Sequence, residues 1–270
     1  MLPPALIASD IDGTLLNSDY RVPRRNRDAL TRASAAGAEV ALATGRPFRW
    51  IGDVLDQLTV RPVCATSNGA VLYDSATDTV LAKHELSPAV MAAVVEAASV
   101  LPPFAVGAER AGTSVTDAPE DLFVVSPGFN NTWEEQGFGE ARIDDVISAP
   151  AVKLILRNEF MTAPQMYELI APLIDPSQAH ITYSMNEGLL EVAAPGVTKA
   201  LGMQHLCSLH DISQSRTIAF GDMPNDIEML QWVNHGVAVA NAHPDVKAAA
   251  DEVGVGNGEG ALGHVLERWF

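Results

Sequence analysis

Leu6-Ile7-Ala8-Ser9-Asp10-Ile11-Asp12-Gly13-Thr14-Leu15-Leu16 is the stretch on which the reading of the chain turns. An apolar run of strand type ends in two carboxylates one residue apart, and the chain then breaks at a glycine. Acids at the end of a buried strand are costly unless a cation or hydrogen bonds compensate them. A divalent metal meets that need, and so does a water-exposed Asp-Gly turn. The sequence on either side decides between the two.

Downstream, Pro23 to Ala36 reads as a helix, with Ala29, Leu30 and Ala33 on its inner face and Gly37 as a stop. Glu39 to Ala43 reads as a second buried strand running into Thr44-Gly45-Arg46-Pro47. A helix is expected from about Arg49 to Leu58, and a third strand, Val63 to Thr66, runs into Ser67-Asn68-Gly69-Ala70. Strands alternating with helices predict a parallel sheet with right-handed crossovers. Sites in such sheets lie beyond the carboxyl ends of the strands. Asp10, Asp12, Thr44 and Asn68 all fall there. The last third returns to this pattern. A helix over Thr198 to Leu209 carries Lys199, and a strand, Arg216 to Phe220, ends at Gly221-Asp222-Met223-Pro224-Asn225-Asp226. A further strand, Gly236 to Val239, and helices over Asp245 to Ala250 and Gly260 to Trp269 close the chain.

Between these halves the sequence changes character. Val71 to Tyr73 and Thr79 to Leu81 read as a hairpin, and residues 84–194 read as a separate α+β insert. Its expected elements are helices over Pro88 to Val100 and Ala163 to Ile174, and strands at Phe104 to Val106, Val152 to Arg157, Ile181 to Tyr183 and Leu189 to Val192. The 126–141 segment, which holds Phe129, Trp133 and Phe138, has no clear period. Those aromatics either line a substrate pocket or tuck against the insert's own core. The insert holds sixteen acids and four cations, Arg110, Arg142, Lys153 and Arg157. An acidic surface of this kind disfavours large polyanions.

The whole chain has 270 residues, 17 Lys and Arg against 34 Asp and Glu, and a formal charge of −17, which argues against nucleic acid or an anionic membrane as partner. Cys64 and Cys207 are its only cysteines, too few for a disulfide framework or a zinc site. The N-terminal residues lack the pattern of a signal peptide, and no apolar run approaches 18 residues. A cytoplasmic protein without membrane spans is expected; the oligomeric state is left open.

Phosphoryl transfer through an aspartate needs a carboxylate nucleophile, an acid/base, cations for the phosphoryl oxygens, and donors that fix the phosphate. Each residue type stands here at a strand end or helix start. Singly, each has a plainer reading: Thr44 as a helix cap, Asn68 as a turn residue, Lys199 as a solvated lysine. Lys199 at a helix start is unfavourable for the helix dipole, a mild misfit that points to a task.

Asp10-Ile11-Asp12-Gly13-Thr14 resembles the opening motif of the haloacid dehalogenase superfamily of phosphohydrolases. Thr44-Gly45-Arg46, Lys199 and Gly221-Asp222 through Asp226 are similar to its second, third and fourth motifs. The longer contexts Ser67-Asn68-Gly69-Ala70 and Gly196-Val197-Thr198-Lys199 resemble the Cof-type branch, subfamily IIB. Ala200 stands where that family often has glycine, and residues 126–141 match no family pattern.

The resemblance implies a Rossmann-like doubly wound α/β core, residues 1–83 and 195–270, with an α/β cap over 84–194 that sets substrate specificity. It implies Asp10 as nucleophile and metal ligand, and Asp12 as acid/base and backbone-carbonyl ligand. Asp222 would be the remaining protein ligand of Mg²⁺. Ile11, Thr44, Gly45, Lys199 and Asn225 would hold the phosphate. Arg46 and Asn68 would reach substrate, and Asp226 would orient Lys199 or a metal-bound water. The implied activity is a Mg²⁺-dependent phosphatase of small phosphorylated metabolites, sugar phosphates first. A phosphomannomutase-like phosphotransferase and a non-catalytic phosphometabolite-binding protein are the alternatives. A binding protein has no need to keep the nucleophile Asp10, which argues against the second.

Overall fold

The computed structural model describes residues 2–101, 103–129 and 137–270. It divides into two compact units, one of residues Met1–Leu81 with Thr198–Phe270, the other Ala82–Val197. Strands β1 (Leu6–Ser9), β2 (Glu39–Ala43), β3 (Val63–Thr66), β4 (Val71–Asp74) and β5 (Thr79–Lys83) come first. Next are β6 (Ala105–Glu109), β7 (Phe123–Val125), β8 (Gly139–Glu140), β9 (Lys153–Thr162), β10 (His180–Thr182) and β11 (Glu187–Ala193). Strands β12 (Thr217–Gly221), β13 (His235–Ala238) and β14 (Glu252–Val253) complete the chain.

The first sheet has the order β14-β13-β12-β1-β2-β3-β4-β5. From β14 to β3 every pairing is parallel, and β4 turns back antiparallel to β3. The chain builds outward from β1 to β2 and β3, then returns to the other side of β1 with β12. That reversal is a topological switch point, where the connections leave on opposite sides and open a crevice. The central strands β12, β1, β2 and β3 are buried on both faces, so they read as unbroken apolar runs rather than alternating ones. β1 is buried along its whole length, and so are four of the five residues of β2. The Arg24–Ala35 helix turns Ala29, Leu30 and Ala33 inward, as its spacing predicts.

The expected helix over Arg49 to Leu58 is shorter. A 3₁₀ turn at Phe48–Trp50 is followed by a helix of only Gly52–Leu55. Ile51 interrupts the two with φ −105° and ψ 1°, Gly52 favours helix poorly, and Trp50's carbonyl accepts a hydrogen bond from the Arg46 side chain at 3.3 Å.

The second unit has a sheet of order β10-β11-β9-β6-β7-β8, antiparallel except for the last pairing. Helices Pro88–Ala97 and Ala163–Ile170 pack on one face of it, burying Met91, Val94, Met166 and Ile170 with Val106, Leu154, Leu156 and Leu190. Ser87 and Thr162 cap these helices, each accepting from a backbone N–H. β9 runs on past the expected end at Arg157 to Thr162, which pairs with Glu187 at the start of β11 across a register shift between Glu187 and Leu189. The alternating side chains of β6, β9 and β11 put Glu109, Lys153 and Glu191 on the opposite face. Lys153 is buried there between the two carboxylates, 3.5 Å from Glu109 and 2.9 Å from Glu191. Phe129 is buried and meets Phe123 edge-on at 6.2 Å, so that aromatic belongs to the unit's own core. Trp133, with the rest of 130–136, lies outside the described residues.

Candidate active site

Asp10 follows β1 directly, and its N–H extends the ladder by donating to the Phe220 carbonyl of β12 at 3.0 Å. Asp222 follows β12. Parallel neighbours in register therefore deliver two buried acids to one point at the switch. Lys199 opens the Lys199–Leu209 helix, and its side chain is 1 % exposed. Its Nζ donates to Asp10 Oδ1 at 2.6 Å and to Asp226 Oδ1 at 2.7 Å. Two carboxylates thus offset both the burial of the ammonium and its unfavourable place at a helix start.

Asp226 is fully buried with both oxygens engaged. Oδ2 accepts from the N–H of Asp222 at 2.9 Å and of Met223 at 3.0 Å. It therefore shapes the loop that presents Asp222 as well as orienting Lys199. Thr14 donates its hydroxyl to Asp222 Oδ1 at 2.8 Å. Gly13, at φ 78°, passes so close to Asp222 that no side chain fits between them.

Electrostatics follow from this crowding. Burial pushes the Asp10 carboxyl well above the usual carboxylate range, with Asp226, Asp222 and Asp12 adding to the rise and Lys199 opposing it. Burial and then Asp226 push Asp222 up to about 6, against the pull of the Thr14 hydroxyl and Lys199. Lys199 is held charged, since its two carboxylates outweigh the cost of its burial. Asp10, Asp222 and Asp226 bring carboxylate oxygens within 4.8 Å of one another. With all three carboxyls ionised, as a bound cation would favour, one ammonium leaves two negative charges, and all the donors are hard oxygens. The site suits a divalent cation such as Mg²⁺ in charge and donor type.

Thr44 follows β2 and is buried, its hydroxyl accepting from the Arg46 N–H at 3.1 Å. Its carbonyl accepts from Asn68 N at 2.9 Å, which ties the ends of β2 and β3 together. Ile11 is buried beside Asp10 at the start of the Ile11–Leu15 turn, which the extended backbone of Asp12 and the left-handed Gly13 break. Gly45 lies between Thr44 and Arg46. Asn225 donates its amide to Asn68 Oδ1 at 3.0 Å, both side chains being buried. Asp12 stands apart from the buried cluster, with a half-exposed side chain. Arg46, expected at the substrate, has its guanidinium on Asp12: Nε donates to Oδ2 at 2.7 Å and Nη2 to Oδ1 at 2.5 Å. Arg49 stacks over Phe48, 5.7 Å from the ring centre.

Three asparagines escaped the sequence reading. Asn241 donates to the Gly13 carbonyl at 2.8 Å, and Asn257 to that of Leu16 at 2.7 Å while its N–H donates to Asn241 Oδ1 at 3.0 Å. Asn26 donates to the Leu15 carbonyl at 3.3 Å. Together they hold the carbonyls of the turn that carries Asp12. Asn241 lies three residues past the end of β13, so the strand-end rule that marks Asp10 and Asp222 marks it too.

The chain matches the family model of haloacid dehalogenase-like hydrolases over residues 7–266. It is 26% identical to the 5-amino-6-(5-phospho-D-ribitylamino)uracil phosphatase YitU of Bacillus subtilis (strain 168), covering 99% of this chain and 98% of that one. It is 28% identical to the HMP-PP phosphatase of Cronobacter sakazakii, over 97% and 94%. Among solved structures, a HAD subclass IIB sugar phosphatase superposes with a TM-score of 0.81 at 23% identity, over 97% and 98% of the two chains, a match of fold. No helix among the described residues is long and apolar enough to cross a membrane. The matched span takes in both strands that carry the buried acids, the Thr44 loop and Lys199, and the chain belongs to the haloacid dehalogenase-like hydrolase family.

Proposed function

We propose that this hydrolase is a Mg²⁺-dependent phosphatase of small phosphorylated metabolites, sugar phosphates first among them. The observation that carries the proposal is Lys199 bridging Asp10 and Asp226 while Thr14 holds Asp222 alongside. Asp10 is the nucleophile, and its carboxylate attacks phosphorus to form an aspartyl-phosphate. Asp12 protonates the leaving oxygen and then takes a proton from the water that hydrolyses the intermediate. Lys199, the Thr44 hydroxyl, the Asn225 amide and the backbone N–H groups of Ile11 and Gly45 hold the phosphoryl oxygens. Asn68 acts at the same place through its bond to Asn225.

Asp10, Asp222 and the Asp12 carbonyl would hold Mg²⁺, with Asp226 supporting them through Lys199 and the Asp222 loop. Such a cation would supply positive charge to offset that on the phosphoryl oxygens. We assign the choice of substrate to the cap, residues 84–194. The named activities of YitU and the HMP-PP phosphatase, both on phosphorylated small molecules, support the substrate class.

The test is a screen of purified protein against a panel of phosphate esters, with Mg²⁺ and with EDTA. Phosphate release that needs the metal and favours sugar phosphates is expected. No release from any ester in Mg²⁺ overturns the phosphatase reading, and full activity in EDTA removes the metal from it.

A further inference from the structure

Of the two acids in the opening motif, Asp10 is buried and Asp12 is not. Asp12 has extended backbone, φ −80° and ψ 123°, next to a glycine at φ 78°. Neither feature fixes its side chain, and a half-exposed aspartate on such a backbone samples several rotamers. Arg46 fixes it. Two parallel N–H bonds to the two carboxylate oxygens set the plane of the carboxylate as well as its position.

Arg46 is anchored in turn at three points. Its N–H donates to Thr44 Oγ1 at 3.1 Å, its carbonyl accepts from Ser67 N at 3.0 Å, and Nη1 donates to the Trp50 carbonyl at 3.3 Å. Ser67 belongs to a run of three left-handed residues, with Ser67 at φ 52°, Asn68 at φ 58° and Gly69 at φ 90°. Backbone of this kind persists where the surroundings over-determine it. Here Gly69 packs against the Thr198 carbonyl, directly before Lys199. The anchorage of Arg46 is therefore continuous with that of the buried lysine.

We infer that Arg46 is a positioning residue for Asp12: its two-pronged grip aims the carboxylate at the oxygen that must gain or lose a proton. The inference rests on the phosphatase reading above. In the first step an Asp10 oxygen bonds to phosphorus, the bond from phosphorus to the leaving oxygen breaks, and Asp12 gives that oxygen its proton. In the second, water bonds to phosphorus, Asp12 takes the water's proton, and the bond to Asp10 breaks with its electron pair returning to the carboxylate. Both transfers need an oxygen of Asp12 in one place, and an untethered carboxylate is there for only part of the time. Lysine cannot reproduce the grip, because a single ammonium has no planar fork.

The test compares wild type, Arg46→Met and Arg46→Lys on two esters in Mg²⁺: glycerol 2-phosphate, whose alkoxide must be protonated, and p-nitrophenyl phosphate, whose phenolate leaves without a proton. Arg46→Met is expected to lose about 100-fold in kcat on glycerol 2-phosphate with KM changed by less than about threefold. On p-nitrophenyl phosphate it should show a burst of about one nitrophenolate per chain before slow turnover, because attack by Asp10 survives while hydrolysis of the aspartyl-phosphate lacks its base. Arg46→Lys should recover about tenfold of the loss, because it keeps the charge and one hydrogen bond.

A raised KM with unchanged kcat would make Arg46 a substrate contact and overturn the inference. So would an equal loss on both esters with no burst, or no loss at all. Where Arg46→Met does not fold, Arg46→Lys carries the same comparison, an intermediate loss in kcat at constant KM supporting the inference and a pure KM effect ending it. Wild-type protein that releases phosphate from neither of these esters nor any other of the panel overturns the phosphatase reading first, and this inference with it.

Discussion

Gly13 lies against the Asp222 carboxylate so closely that a methyl group at position 13 would overlap it. The glycine also has φ 78°, a conformation that costs an L-residue about 1 kcal/mol or more. Gly13→Ala therefore carries two faults, local strain and a displaced Asp222. Since Asp222 is assigned to Mg²⁺, the metal should suffer more than the fold. A loss of about tenfold or more in Mg²⁺ affinity is expected, read by titration calorimetry. Unchanged affinity would separate Asp222 from the metal.

Lys199 is buried between Asp10 and Asp226, and removing one partner of such a cluster leaves charge uncompensated. Lys199→Met is expected to destabilise the protein by about 3–5 kcal/mol at neutral pH, measured by urea unfolding. The loss should shrink toward pH 5, where the carboxyls can take up protons in place of the ammonium. A variant as stable as wild type at both pH values would show the lysine to be exposed in solution.

Metal binding and pH should be coupled through Asp222. Burial and then Asp226 push its carboxyl up to about 6 against an ordinary value of 3.8. The folded state thus holds this proton more tightly than the unfolded one, so the stability it contributes is full below about pH 4 and is lost as pH rises through 6. Mg²⁺ needs the ionised carboxylate, and at pH 5 only about a tenth of Asp222 is in that form. The rise in Tm on adding Mg²⁺ should therefore be larger at pH 7.5 than at pH 5, and Asp222→Asn should shrink the rise at pH 7.5, leaving only the part that Asp10, whose carboxyl burial also raises, contributes. An equal shift at both pH values in the wild type would refute the coupling.

The parts of this site legible in the sequence are those fixed by position along one strand. Asp10, Thr44 and Asp222 each follow a buried apolar run, and parallel strands place their ends together. Partnerships across the chain are not legible in that way. Arg46 lies 34 residues from Asp12 and Asn241 lies 228 from Gly13, and neither pair has a local pattern to announce it. The insert is harder for a different reason. Short elements such as Pro119–Leu122, Phe123–Val125 and Ile143–Val146 span a single helical turn or three strand residues, too little for a period to show. The Arg49 to Leu58 expectation overreached because periodicity counts apolar residues and is blind to a side chain that captures a backbone carbonyl, as Arg46 does at Trp50.

Asn241 offers the cleanest test of how far the turn that carries Asp12 depends on its supports. Its amide donates to the Gly13 carbonyl, and its own oxygen accepts from Asn257, whose side chain reaches Leu16. Because Asn241 is exposed, water can replace much of what Asn241→Ala removes, and stability should fall by only about 1 kcal/mol. Geometry is less forgiving than stability, since Gly13 joins Asp12, the proposed acid/base, to Thr14, which holds Asp222. A small shift there displaces two functional groups at once, and kcat should fall by about tenfold while the melting curve barely moves. Steady-state kinetics beside a thermal melt decide the matter. A kcat unchanged within error would mean that the turn keeps its shape through Asn26 and Asn257 alone.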